Sequence, residues 1–476
     1  MEKKKKICFV GGIALICILF VIYLAFSLFF VNHFYFGTVI GSISCGGKTA
    51  EEAEQMIAEW ANEYVLKVQG REGTEATLTA EEIGLRFLPE DAVHKIAEEQ
   101  NGFFWFSCWW RDVSYEIPIK VAYEETLLEE RLEGMFLLQE ENMRKPQDAY
   151  VSEYDAEKGG YFIIEEDKGT YLNYEKVKEA VIQAMKEMDE ILVLEEAGCY
   201  EDAGVSRDDE ELIRFCSRLN RFVSAKVVYD WHGMEEIVDG SLIHKWLKID
   251  RGNYFVGIDA EAVREYVDSL SRKHDTYGKI RKFQTHEGKE IYVEPGNYGW
   301  RVNRKKETER LIKAIRAGRY EEREPEYLFT ANAKGENDIG DSYVEIDLTK
   351  QELYLYIEGR LVTKSDFVSG NVSRGFTTPN GVYGLTYKTL NATLRGQGYA
   401  TPVNYWMPFN GNIGMHDAGW RREFGGDIYL RNGSHGCINL PPEEAEKIYE
   451  HVYKGFPVIC YTHEEEESNE QSHGPD

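Results

Sequence analysis

The residues best suited to covalent chemistry lie near the C-terminus, where Cys437 follows Ser434, His435 and Gly436 in the stretch NGSHGCINL. A thiol reacts as its thiolate, and an ordinary cysteine pKa of about 8.5 leaves it mostly protonated at neutral pH. It therefore needs a base or a cationic neighbour. Glycine beside a nucleophile lets a substrate backbone approach and leaves backbone N–H groups to face a developing oxyanion. The stretch therefore indicates a thiol nucleophile.

A second histidine stands upstream in the stretch GMHDAGW, with 17 residues between His416 and Ser434. One of the two histidines can take the thiol proton while the other holds the geometry or the electrostatics. The base needs an orienting acceptor, which the Asp417 side chain or a nearby backbone carbonyl can supply. Two other interpretations stay open, a structural histidine beside a buried cysteine and a zinc site. Zinc needs three or four ligands, and no C-x2-C or H-x3-H spacing occurs in the chain.

The elements that must position these residues have the pattern of β-strands. Apolar and polar residues alternate in Tyr343–Leu348 and again in Leu353–Ile357, and Glu358-Gly359 supplies a turn. Strands at this spacing, with no helix before about Glu443, predict a mostly β domain. The polar, turn-rich stretch 332–341 before it predicts a linker.

The middle of the chain predicts a duplicated domain. Segments 162–185 and 291–315 each have a short apolar run, an acidic turn, a glycine, an asparagine and then a helical pattern. The matching positions, at a constant offset of 130, are Gly169 with Gly299 and Asn173 with Asn303. Asparagine caps a helix and glycine permits the turn before it. We predict two α+β repeats, at 38–195 and 200–330, which act either as rigid spacers or as a pair that binds a wall polymer.

The N-terminus predicts a membrane anchor. A basic cluster at Lys3–Lys6 precedes Ile7–Phe30, 24 residues without a charge. A helix of that length crosses a hydrocarbon core of roughly 30 Å, and flanking lysines stay on the cytoplasmic side. A signal peptide is the competing interpretation, but it has a shorter apolar region and a small-residue cleavage site, whereas Val31–Phe36 is bulky and aromatic. Everything after Phe30 is then expected outside the cell membrane.

Composition sets the broad class. The 476 residues carry 55 Lys and Arg against 83 Asp and Glu, a formal net charge of −28, so no basic surplus exists to bind nucleic acid. An apolar share of 43% argues against a disordered chain, and 8 cysteines are too sparse for a small disulfide scaffold. Outside the cytosol some cysteines could pair, with no pairing given by the sequence. The acidic stretch 463–476 is predicted to be disordered.

These motifs together resemble the signature of L,D-transpeptidases of the YkuD fold family. The resemblance rests on His416, the gap of 17 residues and the SHGCIN of 434–439, over about a quarter of the chain. Supporting stretches precede it in the family's order: EIDLTKQELYLYIEGRLV at 345–362, TPNG at 378–381 and NYWMPF at 404–409. The duplicated middle resembles the peptidoglycan-binding domains upstream of this fold in membrane-anchored members. The implied fold is multidomain: a transmembrane helix, two α+β repeats and a C-terminal, mostly β YkuD-like catalytic domain.

The resemblance implies a mechanism and a set of residues. Cys437 attacks the carbonyl between the third residue and the terminal D-Ala of a tetrapeptide stem, and an amine of a neighbouring stem resolves the thioester into a 3→3 cross-link. His416 is the implied proton acceptor and donor, oriented by a carbonyl of Asp417. The implied oxyanion and support residues are His435, Gly436, Cys437, Ser434 and Asn439. The implied substrate-binding residues are Tyr405, Trp406, Met407, Trp420 and Asn439. Neither a metal nor an organic cofactor is expected, and the expected partners are peptidoglycan stem peptides and the membrane.

The predicted organisation has five segments: 1–36 as cytoplasmic tip and anchor, 38–195 and 200–330 as repeats, 342–462 as catalytic domain and 463–476 as tail. Three alternative functions stay open. An L,D-carboxypeptidase would resolve the same acyl-enzyme with water. A wall-binding protein without activity would not need Cys437. A sortase-like thiol transpeptidase would need a TL-x-TC motif, whereas Cys437 lies in SHGC.

Overall fold

The structure, a computed structural model, describes residues 2–88, 91–110, 113–116, 120–396 and 399–463. The chain divides into two compact units, residues 1–150 with 163–209 and residues 151–162 with 210–476. The tail predicted to be disordered lies, apart from His463, outside the described residues. The predicted domain boundaries stay predictions, since the second unit contains both the second repeat and the C-terminal domain.

The first unit begins with the helix α1 (Glu2–Phe29), whose stretch Phe9–Phe29 is long and apolar enough to cross a membrane and is mostly exposed, with Ser27 buried near its end. The next helix starts at a capping box in which Thr49 and Glu52 each accept the other's backbone N–H. The remaining helices of this unit are α2 (Ala50–Asn62), α3 (Ala92–Glu99), α4 (Glu125–Glu133) and α5 (Tyr174–Glu187). One 3-10 segment, Gly102–Trp109, is rich in aromatic residues.

Short strands accompany these helices. They are β1 (Thr38–Ile40), β2 (Ile43–Ser44), β3 (Val65–Gln69), β4 (Glu75–Thr79), β5 (Arg86–Phe87), β6 (Val113–Tyr115), β7 (Val121–Ala122), β8 (Tyr150–Val151), β9 (Ile163–Ile164) and β10 (Ile191–Val193). In the central sheet β3 pairs antiparallel with β4 and parallel with β10. Helix α5 packs on this sheet through Val177, Val181 and Met185, which are fully buried in one apolar cluster. The unit therefore has a core of its own.

The second unit opens with the same pattern. Its first helices are α6 (Glu210–Val223), α7 (Gly240–Ile243), α8 (Ala260–His274) and α9 (Arg304–Ala317). The strands among them are β11 (Lys226–Trp231), β12 (Met234–Val238), β13 (Leu247–Asp250), β14 (Phe255–Ile258), β15 (Arg281–Gln284), β16 (Glu290–Val293), β17 (Arg301–Val302), β18 (Tyr320–Arg323) and β19 (Tyr327–Phe329). Strand β11 pairs antiparallel with β12 and parallel with β18, which repeats the β4-β3-β10 order.

Local details support the duplication. Helices α5 and α9 are each 14 residues long, and their caps Asn173 and Asn303 accept the N–H of the residue three positions on. Before each cap, Gly169 and Gly299 have positive φ of 60° and 128°. Both helices also end on a left-handed residue. The predicted α+β repeats are therefore present as the same supersecondary unit.

The C-terminal domain is mostly β, as predicted. Its strands are β20 (Tyr343–Asp347), β21 (Glu352–Ile357), β22 (Arg360–Asp366), β23 (Gly381–Gly384), β24 (Thr389–Gly396), β25 (Tyr399–Asn410), β26 (Ile413–Asp417), β27 (Ile438–Leu440) and β28 (Pro457–Tyr461). They form a five-stranded sheet, β22-β21-β20-β28-β23, and a four-stranded sheet, β24-β25-β26-β27. The prediction of no helix before about Glu443 is wrong by one short element, because α10 (Ile428–Asn432) precedes α11 (Pro442–His451).

The core of this domain lies between the sheets. Leu353 and Phe367 meet Met407, Met415 and others in one apolar cluster whose members are almost entirely buried. The segment that contains Asn297 is hydrogen-bonded to this domain. The Asn297 side chain donates to Phe409 O at 2.9 Å and accepts from the Gly384 N–H at 2.9 Å. The four-stranded sheet that carries His416 and the strand after Cys437 is therefore packed against the core of the domain.

Candidate active site

Cys437 lies at the end of a tightly bonded turn just before β27. Ser434 Oγ accepts the Gly436 N–H at 3.0 Å and donates to the Cys437 carbonyl at 2.6 Å. Gly436 has a φ of +114°, and a Cβ at this position would lie 3.2 Å from Ile413 Cδ1. The Thr378 hydroxyl donates to the Gly436 carbonyl at 2.8 Å. The turn therefore requires glycine and holds the thiol in a fixed place.

His416 reaches the same place from the adjacent strand. Strand β26 runs parallel to β27 with His416 opposite Asn439, two residues after Cys437. A cavity of about 210 Å³ is lined by side chains from both strands and the turn between them, among them His416, Trp420, Ser434, His435 and Cys437. The predicted thiol and both predicted histidines therefore border one cavity.

The His416 ring is held at both nitrogens. Its Nδ1 lies 2.8 Å from the Asp417 carbonyl oxygen, and its Nε2 lies 3.1 Å from Asn439 Nδ2. A carbonyl only accepts, so Nδ1 carries the proton and Nε2 is the basic nitrogen. The ring is almost completely buried, with 3% of its surface exposed. His416 is therefore a neutral imidazole of defined tautomer.

Arg421 fixes the amide that faces this ring. Its Nε donates to Asn439 Oδ1 at 2.9 Å, and because a guanidinium only donates, the Asn439 oxygen must point to it. The Asn439 NH2 group is then left to face His416 Nε2. Arg421 could not be predicted from the sequence, since its place after Trp420 gives no reason to prefer it over Arg422.

Burial disfavours the charged forms of Cys437 and His416. It raises the pKa of the Cys437 thiol to about 11, against a smaller opposing effect of the Gly414 backbone. Burial also lowers the pKa of His416, partly opposed by its hydrogen bond to the Asp417 carbonyl. Cys437 Sγ lies 3.5 Å from the Asn412 carbonyl, an acceptor that suits a thiol. Cys437 is therefore a thiol and His416 a neutral imidazole, and both border the same cavity.

The side chain of Asp417 does not orient the His416 ring, one of the two possibilities that the sequence left open. Its Oδ1 accepts the Tyr405 N–H at 2.8 Å, so its backbone carbonyl orients the imidazole. The Tyr405 hydroxyl donates to Glu446 at 2.7 Å. Met407 is fully buried in the core of the domain. Neither Tyr405 nor Met407 is among the residues that line the cavity.

Of the other predicted residues, Trp420 and His435 line the cavity, whereas Trp406 packs against the His416 ring and is not among the lining residues. The Trp406 and Trp420 rings are each 5.9 Å from the His416 ring, and Trp420 is exposed at the cavity wall. The His435 ring is exposed and packs at 4.8 Å against Phe376. All seven cysteines whose side chains the structure describes are free thiols, so Cys437 is not held in a disulfide there. Across the described ranges, no group of three or more His, Cys, Asp or Glu is arranged to hold a metal.

Two parts of the chain match known families. Residues 341–460 match the YkuD L,D-transpeptidase catalytic domain. Residues 218–322, which include most of the second repeat, match a peptidoglycan binding domain. No match was found among curated proteins.

Solved structures with related sequences include several L,D-transpeptidases. A cysteine-to-serine mutant of the Enterococcus faecium L,D-transpeptidase is 35% identical, with 53% of this chain and 100% of that chain covered and a TM-score of 0.44. The catalytic domain of the Enterococcus faecium enzyme acylated by ertapenem is 41% identical over 26% of this chain and 98% of that chain, with a TM-score of 0.24. An L,D-transpeptidase from Mycobacterium tuberculosis H37Rv is 25% identical over 25% of this chain and 57% of that chain, with a TM-score of 0.23.

Proposed function

The chain belongs to the L,D-transpeptidases with a YkuD catalytic domain preceded by a peptidoglycan-binding domain, and from this premise we propose that it forms 3→3 cross-links through a thioester on Cys437. The observation that carries the proposal is the shared cavity of Cys437 and His416, in which His416 Nε2 is the basic nitrogen. The proposed substrates are peptidoglycan stem peptides, a tetrapeptide as donor and an amine of a second stem as acceptor.

The first half of the reaction is acylation. Cys437 Sγ bonds to the carbonyl carbon of the third stem residue while the thiol proton passes to His416 Nε2. The bond from that carbon to the nitrogen of D-Ala then breaks, and Nε2 returns the proton to the departing amine. The products are a thioester on Cys437 and free D-Ala.

The second half of the reaction is transfer to the acceptor amine, and it uses His416 Nε2 as the proton acceptor and donor again. The amine nitrogen of a neighbouring stem bonds to the thioester carbon, and His416 Nε2 takes the amine proton. The carbon–sulfur bond then breaks, and the proton returns to the Cys437 sulfur. The new amide joins two third-position residues, and the site is again a thiol beside a neutral imidazole.

The neutral resting pair favours proton transfer during the attack. A thiol pKa of about 11 leaves little thiolate at neutral pH, so the sulfur becomes nucleophilic only as Nε2 accepts its proton. A positioned general base contributes about 10²–10⁴-fold to such a step. The dry surroundings that raise the thiol pKa also strengthen the base–thiol interaction once the substrate excludes water.

Asn439 and Arg421 are the proposed positioning residues. The Asn439 N–H bonded to Nε2 holds the ring only while Nε2 is unprotonated, because two donors cannot share a hydrogen bond. Asn439 therefore favours the neutral base, and Arg421 keeps the amide from turning its oxygen toward the ring. Both residues act through His416.

The proposed oxyanion donor is the N–H of Cys437 itself. The Gly436 N–H, also considered for this role, donates to Ser434 Oγ. Ser434 and Gly436 then shape the turn that aims the Cys437 amide, and the exposed His435 and Trp420 are the proposed contacts for the stem. Preorganised backbone donors of this kind typically contribute about 2.7–4 kcal/mol to a transition state.

We further propose that α1 anchors the chain in the cell membrane as a single span, with the catalytic domain on the wall side. The apolar stretch Phe9–Phe29 has the required length. The repeat that matches a peptidoglycan binding domain is proposed to hold the polymer near Cys437. A tether of this kind raises the local substrate concentration without a need for high affinity.

The test is a product analysis with the full chain in lipid nanodiscs and purified disaccharide–tetrapeptide stems. We expect 3→3 dimers and free D-Ala from the wild-type chain and neither from Cys437→Ala. The matched control Cys108→Ala, in the first unit, should keep both products. Tripeptide monomers with no dimers would identify a carboxypeptidase, and unchanged substrate would leave only wall binding; either result would overturn the proposal.

A further inference from the structure

The aromatic segment Gly102–Trp110, which includes the 3-10 segment, exposes an unusual amount of apolar surface. Its sequence is GFFWFSCWW. Trp109 and Trp110 are 70% and 79% exposed, and Phe103, Phe104 and Phe106 are also exposed. Large contiguous patches of exposed apolar side chains are rare on soluble proteins. Where they occur, they usually mark a site of interaction with another protein, a ligand or a membrane. The catalytic mechanism uses none of these residues.

The aromatic segment is fixed to the end of the apolar helix α1. Its buried member Trp105 packs at 5.0 Å from the Phe26 ring and 6.1 Å from the Phe30 ring. The Tyr23 hydroxyl donates to the Phe103 carbonyl at 3.0 Å. The segment therefore follows the last two turns of α1, about 11 Å of helix at 1.5 Å per residue.

Backbone contacts make this attachment specific. A Cβ at Gly102 would lie 2.7 Å from the Ser27 carbonyl oxygen, so the segment begins in direct contact with the backbone of α1. The Gln100 side chain donates to the carbonyls of Phe30 at 3.0 Å and His33 at 2.7 Å, in the turn that follows α1. These bonds hold the turn after α1 against the start of the aromatic segment.

We propose that the aromatic segment inserts into the outer membrane–water interface beside α1, with phospholipid as its partner. The proposal rests on the membrane anchorage proposed above. If Phe9–Phe29 spans the hydrocarbon, the contacts with Tyr23 and Phe26 put the segment at the level where the span leaves it. Tryptophan is enriched at that depth because its ring is apolar and its N–H can still meet polar groups.

A second contact with the lipid has a structural consequence. A single helix leaves the domain after it free to tilt relative to the membrane plane. A side-on aromatic contact, attached to α1 by Trp105 and to the turn after it by Gln100, limits that tilt and holds the first unit on the membrane surface. The alternative occupant, a glycan strand stacked on Trp109 and Trp110, would not require the segment to be bonded to α1.

Quenching by brominated lipid tests the proposal. The full chain is incorporated in nanodiscs of phosphatidylcholine and phosphatidylglycerol whose acyl chains carry bromine near the headgroup, and tryptophan fluorescence is measured. The span Phe9–Phe29 contains no tryptophan, so it adds no signal of its own. We expect strong quenching in the parent chain and loss of most of it in the Trp109→Phe/Trp110→Phe variant. The matched control Trp420→Phe, another exposed tryptophan, should retain it.

The outcomes separate the two proposals. Chain that fails to enter nanodiscs would overturn both the anchorage and the interface contact. Chain that copurifies with nanodiscs, but in which the double variant is quenched as much as the parent, would overturn the interface contact alone. A fluorescence response of Trp109 and Trp110 to soluble glycan fragments, without quenching by bromolipid, would assign the segment to glycan and overturn the proposal.

Discussion

Two polar networks of the second unit each contain an arginine. They differ in the partner of that arginine, which is a pair of carboxylates in one network and a neutral amide in the other. In the second repeat, Arg323 Nη2 lies 2.8 Å from Glu307 Oε1 and its Nε lies 2.8 Å from Glu321 Oε2. The Tyr229 hydroxyl also donates to Glu307, which is fully buried. Every charge in this network meets an opposite charge or a hydrogen-bond donor. The network is closed and stabilises the fold.

The network in the catalytic domain is open. Among the described residues, no carboxylate forms an ion pair with Arg421, and burial lowers the pKa of its guanidinium. It donates to Asn439, which donates to His416, and the network ends at a neutral nitrogen bordering the cavity of Cys437. Nε2 has a single lone pair, so it can take a proton only when the Asn439 N–H releases it, and no carboxylate in the described part of the chain hydrogen-bonds to the ring to hold it protonated.

The first repeat shows that the closed network is not required by the fold. At the offset of 130, Glu307 and Arg323 correspond to Val177 and Val193. Val177 is fully buried in the apolar core, and Val193 is half-buried. One supersecondary unit is therefore completed once by apolar contacts and once by a buried ion pair.

The largest expected effect is on the open network. His416→Ala removes the base, and we expect kcat/KM for stem cross-linking to fall by about 10²–10⁴-fold with little change in Tm. The matched control is His451→Ala, an exposed histidine on α11, which should keep its activity. Retained activity in His416→Ala would contradict the assignment of the base.

Breaking the closed network should lower the stability of the protein and leave its activity unchanged, the reverse of what we expect for His416→Ala. Glu307→Ala leaves a buried guanidinium without its main partner, and we expect the free energy of unfolding in urea to fall by ~3–5 kcal/mol. Cross-linking activity per folded molecule should not change. A loss of activity at unchanged stability would mean that the second repeat takes part in the reaction.

The first repeat supplies the rescue variant. The triple substitution Tyr229→Phe, Glu307→Val and Arg323→Val places valines where the first repeat has Val177 and Val193. Because a buried ion pair can be replaced by well-packed apolar residues at little cost, we expect most of the lost stability to return. A triple variant less stable than Glu307→Ala would mean that the two repeats are not packed alike.

Arg421→Ala should have a smaller effect than loss of the base. Without the guanidinium, the Asn439 amide can turn its oxygen toward His416 Nε2 and stabilise the protonated ring. We expect kcat to fall about tenfold, which corresponds to ~1.4 kcal/mol. The acid limb of the pH–rate profile should move to higher pH, because the pKa of His416 rises. The neighbouring exposed Arg422→Ala is the matched control; an unmoved acid limb in Arg421→Ala would exclude this positioning role.

The pH dependence of thiol alkylation separates a neutral pair from a preformed ion pair. With the thiol pKa raised to about 11, the thiolate fraction grows as pH rises through that value. We expect the iodoacetamide rate at Cys437 to keep rising beyond pH 9. The proton-accepting His416 has a lowered pKa, so cross-linking should persist below its usual value of about 6.5. A plateau of alkylation near neutral pH would indicate a thiolate–imidazolium pair.

The sequence predicted the elements whose patterns are local. The offset of 130 identified the repeats because Asn173 and Asn303 cap equivalent helices. The alternation in Tyr343–Leu348 predicted β20, and the SHGC motif with His416 identified residues that the structure brings to one cavity. Each of these signals lies within a few residues of what it predicts, or in a motif of fixed spacing.

Contacts between distant segments could not be predicted in this way. Glu345 alternates with apolar residues and has the pattern of an exposed position, yet it is fully buried. The Tyr461 hydroxyl and the His286 N–H both donate to it, from segments more than 50 residues away in sequence. Burial raises its pKa. Arg421 was missed for the same reason, since its role depends on where Asn439 lies.

The account depends most on acyl transfer to Cys437, and intact-mass analysis of a trapped intermediate tests this directly. The full chain is incubated with a tetrapeptide stem whose side-chain amine is acetylated, so that no acceptor amine is present, and is then quenched in acid. We predict a mass increase equal to the mass of that stem minus the mass of D-Ala, located by proteolysis on the peptide that contains Cys437 and reduced in His416→Ala. Chain that shows no adduct on Cys437, or an adduct on another residue, would contradict the account.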